Sequence, residues 1–184
     1  MVCGFIGFEG VFTYLSVKRV TIILILDEKI YIMPNVGESA PPFSLLNQNG
    51  ETVELKDFEG RSLVIYFYPR ADTPGCTTEA CGFRDDWTEF EEENIGVVGI
   101  SDDPVAKVAK FHAKYNLPFD LLSDEGGKVG EMYDSYGEKK MYGKTYMGVK
   151  RNTYVVDSKG KIIQTYLKVK VADHSKKLLE DLRK

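Results

Sequence analysis

The chain has 184 residues, 43% of them hydrophobic, enough for one buried core and one domain by default. A net charge of −4 with no basic block argues against nucleic acid as a partner. Three cysteines are too few for a secreted disulfide framework, and two of them, Cys76 and Cys81, lie close together, which suits redox or metal chemistry in a reducing, cytoplasmic compartment.

Residues 1–32 differ in character from the rest of the chain. Their apolar patches at 5–15 and 20–26 are shorter than the ~20 residues a membrane span requires. No basic stretch precedes the first patch, so no signal peptide is expected. Residues 20–26 and 29–32 are β-prone, with Asp27 and Glu28 as a turn between them. The reading is an accessory N-terminal extension, with a β-hairpin in it, and Cys3 there is taken as incidental. Residues 33–184 are read as the folded domain.

Residues 37–43 form an extended lead-in, and Asn49-Gly50 turns into a short strand at 52–55. The apolar run 63–68 reads as a buried parallel strand. A helix then runs to about residue 93, with Ala80, Phe83, Trp87 and Phe90 recurring on its core face. Residues 95–101 are a second buried strand. Asp102-Asp103-Pro104 opens a helix to about residue 116 that turns Val105, Val108, Phe111 and Tyr115 inward and leaves His112 off that stripe. A short helix is expected within 126–133, a loop at 137–150, a strand pair at 151–157 and 161–167, and a last helix from Asp173. This order predicts an α/β fold with a mixed central sheet, part parallel and with an antiparallel edge, flanked by helices.

The chemistry gathers between the first buried strand and its helix. Thr73 suits the N-cap and Pro74 the first helical position. Cys76 then sits in the first turn, among backbone N–H groups without helical partners and at the positive end of the helix dipole. That setting favours the thiolate over the thiol.

At these residues the sequence resembles the peroxiredoxins. Pro69, Thr73 and Cys76 match the family's PxxxTxxC signature. Residues 66–69, 73–77 and 79–85 resemble the peroxiredoxin Q branch, also called bacterioferritin comigratory protein, and residues 148–153 resemble that branch's arginine strand. The resemblance covers about residues 34–184. It implies a thioredoxin-like fold and a thiol-dependent peroxidase for hydrogen peroxide and organic hydroperoxides. In it Cys76 is the peroxidatic nucleophile and Cys81 the resolving thiol that closes an intramolecular disulfide through a sulfenic acid. Arg151 is implied as the cation whose fork holds thiolate and peroxide. Thr73 is implied to bind and align the peroxide, and Pro69 to shield the pocket. Glu79 and Arg84 are given only a bracing role; Tyr142, Tyr146 and Met147 are candidates for the pocket mouth, with ordinary loop packing the preferred reading. The resemblance further implies a thioredoxin-type reductant, no cofactor or metal, and a monomer or weak homodimer.

The alternative is a thiol–disulfide oxidoreductase without peroxidase activity, a chemistry that favours CxxC spacing, whereas four residues separate Cys76 and Cys81. A metal on these cysteines is disfavoured, because neither of the chain's 2 histidines stands at ligand spacing from them. On an unbroken helix, five residues of separation put the two Cα atoms about 8.6 Å apart. A disulfide tolerates about 7 Å at most. The helix must therefore unwind, over roughly residues 74–84, between attack and resolution, eased by Gly75 and Gly82.

Overall fold

A computed structural model of the chain describes residues 34–184, Tyr142 excepted. The expected N-terminal hairpin and Cys3 lie outside the described residues.

The first strands of the described residues are β1 (Ser44–Asn47) and β2 (Thr52–Glu54), joined by a turn in which the Asn47 side chain accepts the N–H groups of Asn49 and Glu51. The apolar run at 63–68 forms β3 (Ser62–Phe67), buried along nearly its whole length. Two helices follow where one was expected. These are α1 (Pro74–Asp85) and α2 (Trp87–Glu92), separated at Asp86, whose φ of −96° and ψ of 9° leave the helical region. The apolar spacing runs on through the break, which is why the sequence reads as a single helix: Phe83 and Phe90 are both buried and their ring centroids lie 5.7 Å apart.

Next come β4 (Ile95–Ser101), buried throughout, and α3 (Val105–Tyr115), closed by Asn116 in the left-handed region at φ 48°. The short strand β5 (Asp120–Ser123) and the one-turn α4 (Lys128–Met132) follow. Residues 136–149 are not the expected loop but a hairpin, β6 (Tyr136–Met141) and β7 (Lys144–Val149). Strands β8 (Thr153–Val156) and β9 (Ile162–Tyr166) and helix α5 (His174–Leu182) complete the chain.

Seven strands form one mixed sheet in the order β2-β1-β5-β4-β3-β8-β9. Its centre is parallel, with β3 beside β4 and β4 beside β5, and the outer pairings are antiparallel. The hairpin β6–β7 stands as a separate two-stranded sheet. One apolar cluster joins Val64, Tyr66 and Tyr68 to Ala80, Phe83, Phe111 and Leu178, and a second fills the other face with Leu63, Ile65, Phe67, Val98 and Tyr154. In open sheets of this kind ligands bind beyond the carboxyl ends of the parallel strands. Here β3 delivers its chain to that edge at Phe67, and the cysteine loop starts two residues later.

Candidate active site

The loop between β3 and α1 is tied down from below. Asp103, buried at the end of β4, accepts the Ala71 N–H at 2.6 Å and the Lys107 ammonium at 2.6 Å. Asp72, at φ 60°, sits in a region that non-glycine residues rarely enter. It is held there by Lys114 Nζ and the Tyr115 hydroxyl, each at 2.8 Å, both from the end of α3. The loop thus arrives at the helix in one conformation. Thr73 occupies the N-cap position with Pro74 at the first helical position, as expected from the sequence. Its hydroxyl does not cap the helix, however; it donates to the Arg70 carbonyl at 3.0 Å.

Cys76 lies in the first turn of α1 and is 1% exposed. Cys81, on the same helix, is half-buried, and both thiols are free. Arg151 comes from the segment between β7 and β8. Its backbone is pinned there by the Val169 N–H, which donates to the Arg151 carbonyl at 2.9 Å. Its neighbour Asn152 is buried and fully engaged, donating to Asp134 O and Ser135 Oγ and accepting from the Lys168 N–H. Arg151 Nη2 lies 3.2 Å from Cys76 Sγ. The opposite arm of the fork, Nη1, pairs with Glu79 Oε2. A Cβ on Gly75 would stand 3.4 Å from Nη2, so the small residue before the cysteine leaves room for the guanidinium.

Glu79 therefore does more than brace the surface of a helix. It is 1% exposed, and its second oxygen, Oε1, has no partner among the described residues. Burial pushes its carboxyl up to about 7, against the pull of Arg151. Burial also opposes the charge on Arg151, but Glu79 and Cys76 outweigh it and hold that guanidinium above its ordinary value. A sequence reading ranks a helix glutamate as solvated. Only the chain returning 72 residues later reveals its partner.

The other anticipated residues separate into near and far. Pro69 is half-buried at the start of the loop. Arg84 donates to Asp85 and to the Tyr115 carbonyl. Tyr146 and Met147 are 40% and 50% exposed on β7, and Tyr142 lies outside the described residues.

A family model described as the AhpC/TSA family matches residues 36–165. The chain belongs to that family. Peroxiredoxin Bcp from Bacillus subtilis is 45% identical over 148 residues, which cover 80% of this chain and 94% of that one. Peroxiredoxin Bcp from Escherichia coli is 44% identical over 147 residues, covering 80% and 94%. Among solved structures, the bacterioferritin comigratory protein of Xanthomonas campestris, described for its alkyl peroxide reduction, has a TM-score of 0.73 at 36% identity, covering 77% of this chain and 90% of that one. These relatives put the chain in the Bcp or Q branch of the peroxiredoxins. Their names favour a thiol-dependent peroxidase over the thiol–disulfide exchange alternative. Among the described residues no helix is long and apolar enough to cross a membrane.

Proposed function

We propose that in this peroxiredoxin Cys76 attacks the peroxide, Arg151 stabilises the attacking sulfur, and Cys81 resolves the product. The observation that carries the assignment is the Arg151 guanidinium, which reaches Cys76 Sγ at 3.2 Å while anchored on buried Glu79. A fork held on one side by a carboxylate presents its free edge in one orientation, as a positioned electrostatic group should.

The Cys76 thiolate attacks one peroxide oxygen, so that an S–O bond forms as the O–O bond breaks. The O–O electron pair leaves with the hydroxide or alkoxide, which takes up a proton. Arg151 lies where that negative charge moves, from sulfur to leaving oxygen. The Thr73 hydroxyl keeps a lone pair for the incoming peroxide while it donates to Arg70, which lines up the O–O bond for in-line attack. Pro69 screens the mouth of the pocket. Cys81 then attacks the sulfenic sulfur, water leaves, and a disulfide remains. A thioredoxin-type dithiol reduces that disulfide and is itself oxidised. The reading includes hydrogen peroxide and organic hydroperoxides as substrates, a cytoplasmic location, a monomer or weak homodimer, and residues 1–32 as an extension dispensable for the chemistry.

The test is peroxide consumption by the purified full chain with a generic dithiol, and then with thioredoxin and its reductase. Turnover with both is expected, and the same rate per site from a chain starting at Met33. Peroxide loss no faster than with dithiol alone would overturn the reading.

A further inference from the structure

The β6–β7 hairpin carries a feature that the attack and resolution steps do not use. Gly137 and Gly148 face each other across the two strands, and Lys139 faces Tyr146 one position further out on the same face. A Cβ on Gly137 would stand 3.4 Å from Lys150 Cε; one on Gly148 would stand 3.2 Å from the Tyr146 ring and 3.6 Å from Lys139 Cδ. The paired glycines thus form a bare strip of backbone on which two lysine stems and a tyrosine ring lie flat. The stems end differently. Lys150 Nζ reaches Asp134 Oδ1 at 2.5 Å, an ordinary ion pair. Lys139 Nζ has no acid partner among the described residues and donates to the Val149 carbonyl at 2.9 Å, two residues before Arg151.

A half-buried ammonium anchored on a carbonyl normally has an anion nearby. Lys139 and Arg151 line one cavity of about 540 Å³, together with Lys168, Glu138 and the Lys150–Asp134 pair. Burial and then the charge of Arg151 push the Lys139 ammonium down, while Cys76 and Asp102 act in the opposite direction. Two cations therefore converge, with Glu79 already paired to one of them. Arg151 connects this cavity to the reacting sulfur, since its Nη2 lies 3.2 Å from Cys76 Sγ; Asp102 is the other acid that acts on Lys139.

We infer that Lys139 is a positioning residue of the peroxidase site, a second cation that supports the Cys76 thiolate from the hairpin and ties that hairpin to the strand presenting Arg151. The inference rests on the assignment of Cys76 as the attacking thiol, and its test reads the thiolate without using peroxide. The full chain, K139M, K139R and K140M are alkylated with iodoacetamide from pH 5 to 9, and modification at Cys76 is followed by peptide mapping. Lys140 is exposed and faces the other side of β6, so it controls for net charge. K139M should react roughly threefold to tenfold more slowly at pH 6 and converge with the wild type at high pH, as expected for one lost charge in a partly shielded site. K139R should recover to within about twofold, and K140M should match the wild type. The initial rate with hydrogen peroxide should fall in K139M by the same factor. A K139M alkylation profile superimposed on that of the wild type overturns the inference, as does an equal effect from K140M. A shifted alkylation profile in a chain that consumes no peroxide would instead refute the peroxidase reading and leave the electrostatic role of Lys139 standing.

Discussion

Helix α1 is held in two different ways along its length. Its first turns are held by charge: Cys76 and Glu79, both 1% exposed, converge on the guanidinium of Arg151. Its far end is held by burial. Phe83 is fully buried, with its ring stacked 4.8 Å from that of Tyr66 and edge-on to that of His174 at 5.8 Å. Asp86, just past the helix, accepts the Ser175 hydroxyl at 2.6 Å from α5. On the proposed mechanism, oxidation of Cys76 to a sulfenic acid would alter the sulfur that Arg151 contacts and weaken the first kind of tie; it would do nothing to the second. Cys81 sits between the two, half-buried. The difference fixes where the helix can open. Unwinding that starts at Pro74 should stop before Phe83, because extracting a buried phenylalanine costs about 3–5 kcal/mol. The sequence alone placed that limit near residue 84.

The most severe test of the charge-held end removes its sulfur. Cys76→Ser should abolish peroxide turnover, while Cys81→Ser should permit a single attack and leave a sulfenic acid that dimedone traps. Full turnover by the Cys76 variant would remove it from the chemistry. Arg151→Met comes next. It should slow the reaction with hydrogen peroxide at pH 6–7 by about a hundredfold, the scale on which a positioned electrostatic group acts. It also strips buried Glu79 of its counter-charge, so the carboxyl should take up a proton and some loss of stability should accompany the lost rate. A rate within twofold of wild type in stopped-flow measurements would assign Arg151 to stability alone.

Amide hydrogen exchange sharpens the boundary between the two ends. In the reduced chain all of α1 should be protected. In the oxidised chain, with the Cys76–Cys81 bond confirmed by mass spectrometry, protection should be lost from about residue 76 to residue 82 and retained at Phe83 and beyond. Equal protection across α1 in both forms would contradict the unwinding. Loss that extends through Phe83 would show that burial does not anchor the far end. Stiffening the first turns should leave the sulfenic acid waiting longer and raise sensitivity to a second peroxide.

The two ends were not equally legible in the sequence. The loop, the cap and the cysteine turn were readable because their signals are local: Thr73, Pro74 and Cys76 fall within four positions. The buried strands β3 and β4 were readable as continuous apolar runs. Arg151 entered only through family resemblance, since nothing local distinguishes it from a surface arginine. Glu79 carries no local signal for the same reason, and Asp103 and Asn152, which fix the two arriving segments, carry none because their partners are distant in the chain. The hairpin β6–β7 reads as a loop in the sequence because most of β7 is exposed on both faces, which erases the alternation that marks a half-buried strand. Strands β1 and β5 have only four residues each, too few to carry a period.

The smallest expected effect separates the two ends by pH. Glu79 lies at the charge-held end, and burial raises its carboxyl from 4.5 to about 7. A group raised on folding contributes stability that is fully present below its unfolded value and is lost as pH rises through the folded one. The Glu79 contribution therefore declines between about pH 4.5 and 7. His174 lies at the burial-held end, between the rings of Phe83 and Tyr166, with Nε2 2.9 Å from Thr153 Oγ1. Burial first, then the charges of Lys177 and Arg151, lower it from 6.5 to about 4. Its contribution has the opposite sign: it is present above pH 6.5 and is lost as pH falls towards 4, on the order of 3 kcal/mol over the full span. In the wild type the two slopes oppose each other across pH 4.5–6.5, and the stability curve there should be nearly flat. Glu79→Gln should expose the histidine slope, with stability rising from pH 4 to 6.5. His174→Gln should expose the carboxylate slope, with stability falling from pH 4.5 to 7. Urea denaturation of the three chains at half-unit pH intervals measures this directly. Parallel curves for all three would show that neither group titrates within the folded protein over this range, and that the two ends of α1 share one response to pH.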